Sequence, residues 1–329
     1  MLLALNCIEE DQPGKKWQGV FDKTWPFYRK WFLSEGHVTR KGYLTSINEL
    51  RNHMPELMPV FDQLCELSGG SDIASRYLSM YCPPAYLRGC TQLAWSGENP
   101  ALIRNYDYDP KLFEGVLLKT NWLRPVIGTS DCSWGLLDGM NDAGLAVSLT
   151  FGGRKVVAEG FGIPLVLRYI LETCNNIEEA KNVLKRVPLH MSYNLTLMDA
   201  SGQFLTVYLS PDAEPLFLQT PVATNHQETI TWKEYAAFSR THDRKAYLEK
   251  ALEKPELTRA QIEQKFFEKP LYQRNFDRSF VTLYTAVYDP GEMRLKMMWP
   301  TKSIFQSFSH FTEKKLVINL GKSLVDTLA

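Results

Sequence analysis

Six cysteines occur in the 329 residues, Cys7, Cys65, Cys82, Cys90, Cys132 and Cys174, and no two form a CxxC pair. Taken singly, each reads first as a small buried hydrophobe, because cysteine is among the most buried residue types. Cys90 stands apart by its company. It sits in Arg88-Gly89-Cys90-Thr91-Gln92, and Arg104-Asn105-Tyr106-Asp107 follows at a hairpin's distance. A cysteine after a glycine at the start of a strand can attack its own preceding carbonyl, which Gly89 leaves sterically open. An N-to-S acyl shift followed by hydrolysis would create a chain beginning at Cys90. Its thiol is then a nucleophile and its freed amine, with an ordinary pKa of about 7.7 to 8.0, a base. Arg104 would supply a field favouring thiolate, and Asp107 would hold the amine. Further along, Asp138-Gly139-Met140-Asn141-Asp142-Ala143-Gly144-Leu145 and Thr224-Asn225-His226 bring amides and one imidazole. His226 offers a Cys-His alternative. His190 and His226 with Cys90 lack the short paired spacing of structural zinc, so no metal is expected.

The elements that must position these groups change character near residue 85. Lys15 to Tyr81 reads as helical, with Pro55 and Pro59 breaking one run and Ser68-Gly69-Gly70 ending it. Gly89 to Phe151 reads as hairpins, including Cys90 to Trp95, Ala101 to Tyr106 and a turn at Asn141 to Gly144. Ile163 to Thr173 and Ile177 to Arg186 read as helices, the second capped by Asn176. Strands resume at Asn194 to Met198 and Phe204 to Leu209. Lys233 to Glu253 and Thr258 to Phe267 read as helices, and the charged run from Lys233 to Lys254 as a solvated face. Phe280 to Tyr288 and Met293 to Trp299 close a last hairpin. Strand runs separated by helix pairs argue for mostly antiparallel sheets covered by segregated helices, an α+β class.

Composition narrows the function. Thirty-seven basic residues balance 37 acidic ones, so a globally basic nucleic-acid binder is disfavoured, and 44% hydrophobic content suits a folded chain. No stretch approaches the roughly 18 apolar residues of a membrane span, and the first ten residues lack a basic n-region. The cytoplasm with reduced thiols is the expectation. There is no GxGxxG, P-loop or HExxH, so nucleotide and zinc-protease readings lose their usual support.

On Gly89-Cys90-Thr91, Arg104 to Asp107, Asp138 to Leu145 and Thr224-Asn225-His226, the chain resembles the N-terminal nucleophile (Ntn) hydrolases of the isopenicillin-N acyltransferase-like family, related to choloylglycine hydrolases and penicillin V acylases. The resemblance runs roughly from Met54 to Trp299. It implies a four-layer αββα sandwich with two mostly antiparallel sheets. It also implies cleavage between Gly89 and Cys90, dividing a helical segment 1–89 from a catalytic domain 90–329, and an acyl group cleaved or transferred at a non-peptide amide. By matching motif, Cys90 is the nucleophile, Arg104 and Asp107 its flanking charged pair, and Asn225 the side-chain oxyanion donor. Where choloylglycine hydrolases have a second asparagine this chain has Thr150-Phe151, which points to a backbone N–H near Thr150. The distal arginine is Arg278 or Arg274, with Arg278 preferred. Asn141 and His226 are assigned to the pocket, and Trp95, Tyr106, Tyr108, Trp122 and Trp134 suit its aromatic wall. The expected partner is a small acyl amide or acyl-CoA-like molecule, without cofactor, nucleic acid or membrane, and an oligomer is compatible. The rivals are an uncleaved ligand-binding relative and a Cys-His thioesterase.

Overall fold

The computed structural model describes residues 1–86 and 89–321; Arg88, named above beside Gly89, lies outside them. The chain opens with β1 (Leu2–Glu10) and four helices, α1 (Lys15–Phe32), α2 (Tyr43–His53), α3 (Met58–Leu67) and α4 (Asp72–Leu78). Six strands follow: β2 (Gly89–Trp95), β3 (Ala101–Tyr108), β4 (Val116–Asn121), β5 (Pro125–Asp131), β6 (Gly135–Asn141) and β7 (Ala146–Phe151). Next come α5 (Ile163–Thr173), α6 (Ile177–Arg186), β8 (Tyr193–Met198), β9 (Phe204–Ser210), β10 (Ala213–Leu218) and β11 (Val222–Ala223). The last third holds α7 (Lys233–Ser239), α8 (Thr241–Leu252), α9 (Arg259–Lys265), β12 (Arg274–Asn275), β13 (Phe280–Asp289), β14 (Arg294–Trp299), β15 (Lys302–Ser307) and β16 (Lys314–Asn319).

Two sheets result. One runs β10-β9-β8-β7-β6-β5-β4-β1-β16, the other β11-β2-β3-β13-β14-β15 with β12 beside β13. Among the described residues every strand pairing is antiparallel except β1 with β4. β2 and β3 face β7 and β8 across the interior, α5 lies on β6 and β7, and α8 lies over β2 and β11. This is the α+β, helix-sheet-sheet-helix layering expected of two mostly antiparallel sheets. Strands covered on both sides lose the polar-apolar alternation; β2 and β13 are buried at every position.

The segment before Gly89 is not helical throughout. β1 is inserted between β4 and β16, with Leu3, Leu5 and Cys7 buried and Leu2 and Ala4 exposed. Its outward positions are themselves apolar, so the alternation that marks a strand is absent from the letters. The run expected as one helix from Lys233 to Glu253 is broken at Arg240, which adopts φ +50°. That turn redirects α8 so that Arg244 points at β2.

Candidate active site

The β2–β3 hairpin sets the geometry. Its register places Gly89 opposite Asp107, Cys90 opposite Tyr106 and Gln92 opposite Arg104. Because side chains alternate along a strand, Cys90 and Arg104 share one face while Gly89 and Asp107 share the other. Arg104 and Asp107 are therefore not partners, although three residues apart.

On the inner face, Arg104 donates from Nη2 to Cys90 Sγ at 3.0 Å, from Nε to Leu149 O at 3.0 Å, and from Nη1 to Asp138 Oδ2 at 2.5 Å. Its guanidinium also lies 4.8 Å from the Tyr106 ring centroid. Burial works against that charge, but Cys90, Tyr284 and Asp138 more than offset it, so the guanidinium is held above its ordinary value.

On the outer face, Arg244 from α8 reaches the same corner. It donates to Cys90 O at 2.6 Å, Thr91 Oγ1 at 2.8 Å and Asn225 Oδ1 at 2.6 Å, and stands 3.6 Å from Asp107 Oδ2. Asp107 accepts from Thr282 Oγ1 at 2.6 Å on its other oxygen, while Oδ2 finds no hydrogen-bond donor among the described residues. Burial pushes the Asp107 carboxyl up, with Arg244 and the Thr282 hydroxyl partly opposing, and pushes the Arg244 guanidinium down. Gly89 is required by packing as well as chemistry: a Cβ there would lie 2.2 Å from the Phe280 ring.

Asn225 ties both sheets to this corner. Its Oδ1 accepts from Cys90 N at 3.0 Å, and its Nδ2 donates to Thr150 Oγ1 at 2.6 Å and Phe151 O at 3.2 Å. Arg244 can only donate, so the amide orientation is fixed with its oxygen toward Cys90. The group of Thr150 that meets Asn225 is its hydroxyl rather than its backbone N–H. Asn194 Nδ2 holds the carbonyls on either side of Asn225, those of Thr224 at 2.8 Å and His226 at 2.9 Å.

Cys90, Arg104, Asp107, Asn225 and Thr150 are thus brought together, while four other expected residues, Arg278, Arg274, Asn141 and His226, stand outside this hydrogen-bonded group. Arg278 is exposed on the turn before β13, and Arg274 is exposed on β12; the arginine that meets the Cys90 carbonyl is Arg244. Asn141 bonds the Leu171 and Cys174 carbonyls and the N–H groups of Ala143 and Leu145, which makes it the brace of the β6–β7 turn. His226 turns Nδ1 to the hydroxyls of Thr224 at 3.2 Å and Thr241 at 2.8 Å rather than to Cys90. Burial, then Lys245, His242 and Arg244, bring its pKa down to about 4. Arg244 lies within the charged run that reads as solvated; one periodic clue is present, since its helix neighbours Leu248 and Ala251 are apolar at threes and fours.

A cavity of about 390 Å³ opens beside Gly89, walled by Tyr108, Trp232, Tyr235, Phe238 and Phe280, with Arg278 at its lining. Of the aromatics expected there, Tyr108 takes part; Trp122 and Trp134 contact each other instead, and Trp95 stands over Gly97. Among the described residues no group of three or more His, Cys, Asp or Glu could hold a metal ion, and no helix is long and apolar enough to cross a membrane.

The family model described as "Acyl-coenzyme A:6-aminopenicillanic acid acyl-transferase" matches residues 95–303, more than half of the chain and starting just after Cys90. No curated protein matches. Solved structures similar to this chain include a mutant of conjugated bile acid hydrolase from Clostridium perfringens, at 12% identity and TM-score 0.44, covering 70% of this chain and 97% of that one. The Caenorhabditis elegans ortholog of N-acylethanolamine-hydrolyzing acid amidase is similar at 16% identity and TM-score 0.46, covering 70% and 100%. Penicillin V acylase from Agrobacterium tumefaciens is similar at 15% identity and TM-score 0.37, covering 68% and 78%.

Proposed function

Since the chain belongs to the acyl-coenzyme A:6-aminopenicillanic acid acyl-transferase family, we propose that it is a cysteine enzyme that cleaves itself between Gly89 and Cys90 and then cleaves or transfers an acyl group at a small non-peptide amide. The observation that carries this is the convergence on one residue: Asn225 holds the nitrogen of Cys90, Arg244 its carbonyl and Arg104 its sulfur.

In maturation, Cys90 Sγ attacks the Gly89 carbonyl carbon, the C–N bond breaks, and the leaving nitrogen takes a proton to become the amine of Cys90. Water then attacks the thioester, frees the Gly89 carboxylate and returns the thiol. The new amine has more N–H bonds than the peptide it replaces. Asn225 Oδ1 is already in place for one, and Asp107 Oδ2, on the residue opposite Gly89, is a buried acceptor with no hydrogen-bond donor among the described residues. In turnover, the amine takes the thiol proton as Sγ attacks the substrate carbonyl, and returns it to the leaving amine. Asn225 Nδ2, whose two N–H bonds point to Thr150 Oγ1 and Phe151 O, would turn one of them from these partners to the oxyanion, a contribution of roughly 3 to 4 kcal/mol of barrier when such a donor is aimed well. Water completes hydrolysis of the acyl-thioester; an amine completes transfer. The aromatic cavity beside Gly89 suits an apolar acyl group.

Intact mass tests the first half of the reading. The wild-type protein should yield pieces of 89 and 240 residues, and Cys90→Ala should stay at 329. A wild-type chain that remains whole after prolonged incubation, yet binds acyl amides without consuming them, would favour the uncleaved ligand-binding alternative.

A further inference from the structure

Behind Arg104 lies a carboxylate that the reaction above does not touch. Asp138, on β6 and wholly buried, accepts four hydrogen bonds: from Arg104 Nη1 at 2.5 Å, Tyr284 OH at 2.6 Å, Tyr288 OH at 2.6 Å and Thr129 Oγ1 at 2.9 Å. The donors come from β3, β13 and β5. Arg104 Nη1 also donates to Tyr284 OH at 2.9 Å. The guanidinium is therefore held between two acceptors, with Asp138 on one terminal nitrogen and Cys90 Sγ on the other.

The electrostatic consequence has a definite sign. A buried cation against a thiol favours thiolate, and a carboxylate on the far side of the same cation opposes that preference. An over-stabilised thiolate is a poor nucleophile, because nucleophilicity falls with thiol acidity. The charged and titratable groups around this line are few. Arg104 and Tyr106 face it from β3, Asp107 from the outer face of the same strand, Arg244 and Tyr235 from α8 and α7, Tyr284 and Tyr288 from β13, and after cleavage the amine of Cys90 itself, which is common to wild type and variants. Among the described carboxylates, Asp138 is the one that bonds Arg104 directly.

We propose that Asp138 is a positioning residue that sets the acidity of the Cys90 thiol through Arg104, tempering the cation while Tyr284 and Tyr288 temper Asp138 in turn. The proposal rests on the reading of Cys90 as nucleophile.

The test is the pH dependence of Cys90 alkylation by iodoacetamide in the full protein, followed by mass spectrometry on the peptide that carries it. Asp138→Asn should move the midpoint down by about one pH unit, since it leaves Arg104 unopposed. Tyr288→Phe, which removes a donor from Asp138 without touching Arg104, should move it up by a smaller amount. Arg104→Gln should move it up as well. If Asp138→Asn leaves the midpoint in place or raises it, Asp138 merely holds Arg104 and the proposal is wrong. If that variant does not fold, Tyr288→Phe decides alone, and an unmoved midpoint rejects the proposal. A wild-type Cys90 that alkylates without any midpoint would reject the nucleophile and the proposal together, whereas a wild-type midpoint with unmoved variants rejects only the second.

Discussion

Arg244 is fully buried and makes contacts to Cys90, Thr91 and Asn225 while standing 3.6 Å from Asp107 Oδ2. Removing one partner of a buried ion pair strands the other, at a cost of about 3 to 5 kcal/mol. Arg244→Gln should therefore lower stability by that order in urea unfolding and slow maturation. Adding Asp107→Asn should restore part of the stability but none of the maturation. Full additivity of the two losses would deny that the residues act as a pair. His226 supplies a second prediction, in pH. Its pKa is lowered to about 4 from 6.5, so the fold prefers the neutral ring. The stability this represents is complete above pH 6.5 and is lost as pH falls toward 4, up to roughly 3 kcal/mol. His226→Gln should flatten that loss, and turnover at neutral pH should survive, because in the proposed mechanism the amine rather than the imidazole is the base. A dead but folded variant would favour the Cys-His thioesterase.

At the scale of elements, the β2–β3 hairpin is where sequence and structure coincide, and the reason is locality. Cys90, Arg104 and Asp107 sit on two adjacent strands whose register is set by one turn, so their spacing can be read as geometry. Alternation equally implies which face each occupies, yet proximity in the chain favours pairing Arg104 with Asp107. The helix pair α5 and α6 is legible to the residue because its caps and apolar rows are local; Asn176 caps α6 through the Glu179 N–H. Arg244 is not, because its partners lie on β2 and on the Asn225 loop, and the apolar spacing of Leu248 and Ala251 marks only the covered face of α8, not what an arginine on that face would meet. Gly89 adds a prediction at this scale. Gly89→Ala would drive a methyl into the Phe280 ring, and overpacking of this kind costs about 1 to 3 kcal/mol. Melting should show that loss, with cleavage slowed, and Phe280→Leu should recover stability in the double variant. No recovery would mean the strain lies in the backbone instead.

Across the whole molecule, the segment before Gly89 is woven into the rest. β1 pairs with β4 on one side and β16 on the other, Trp17 Nε1 donates to Ser133 O at 2.9 Å, and Tyr28 OH donates to the half-buried Glu114 at 2.8 Å. A cut between Gly89 and Cys90 severs none of these ties. After maturation the two pieces should co-elute in gel filtration and separate only in denaturant; a 240-residue piece running alone would make residues 1–89 a discarded leader. The strand order also constrains timing. β1 finds one of its two neighbours only when residues 314–319 have been made, a pairing separated by some three hundred residues. Contacts of such separation form late and slowly. In the proposed maturation, scission draws on Asn225 and Arg244, which puts it likewise beyond the reach of any translation product that stops short of them. Scission of that bond would then report that synthesis has passed Arg244, with shorter products left uncut and without the nucleophilic amine.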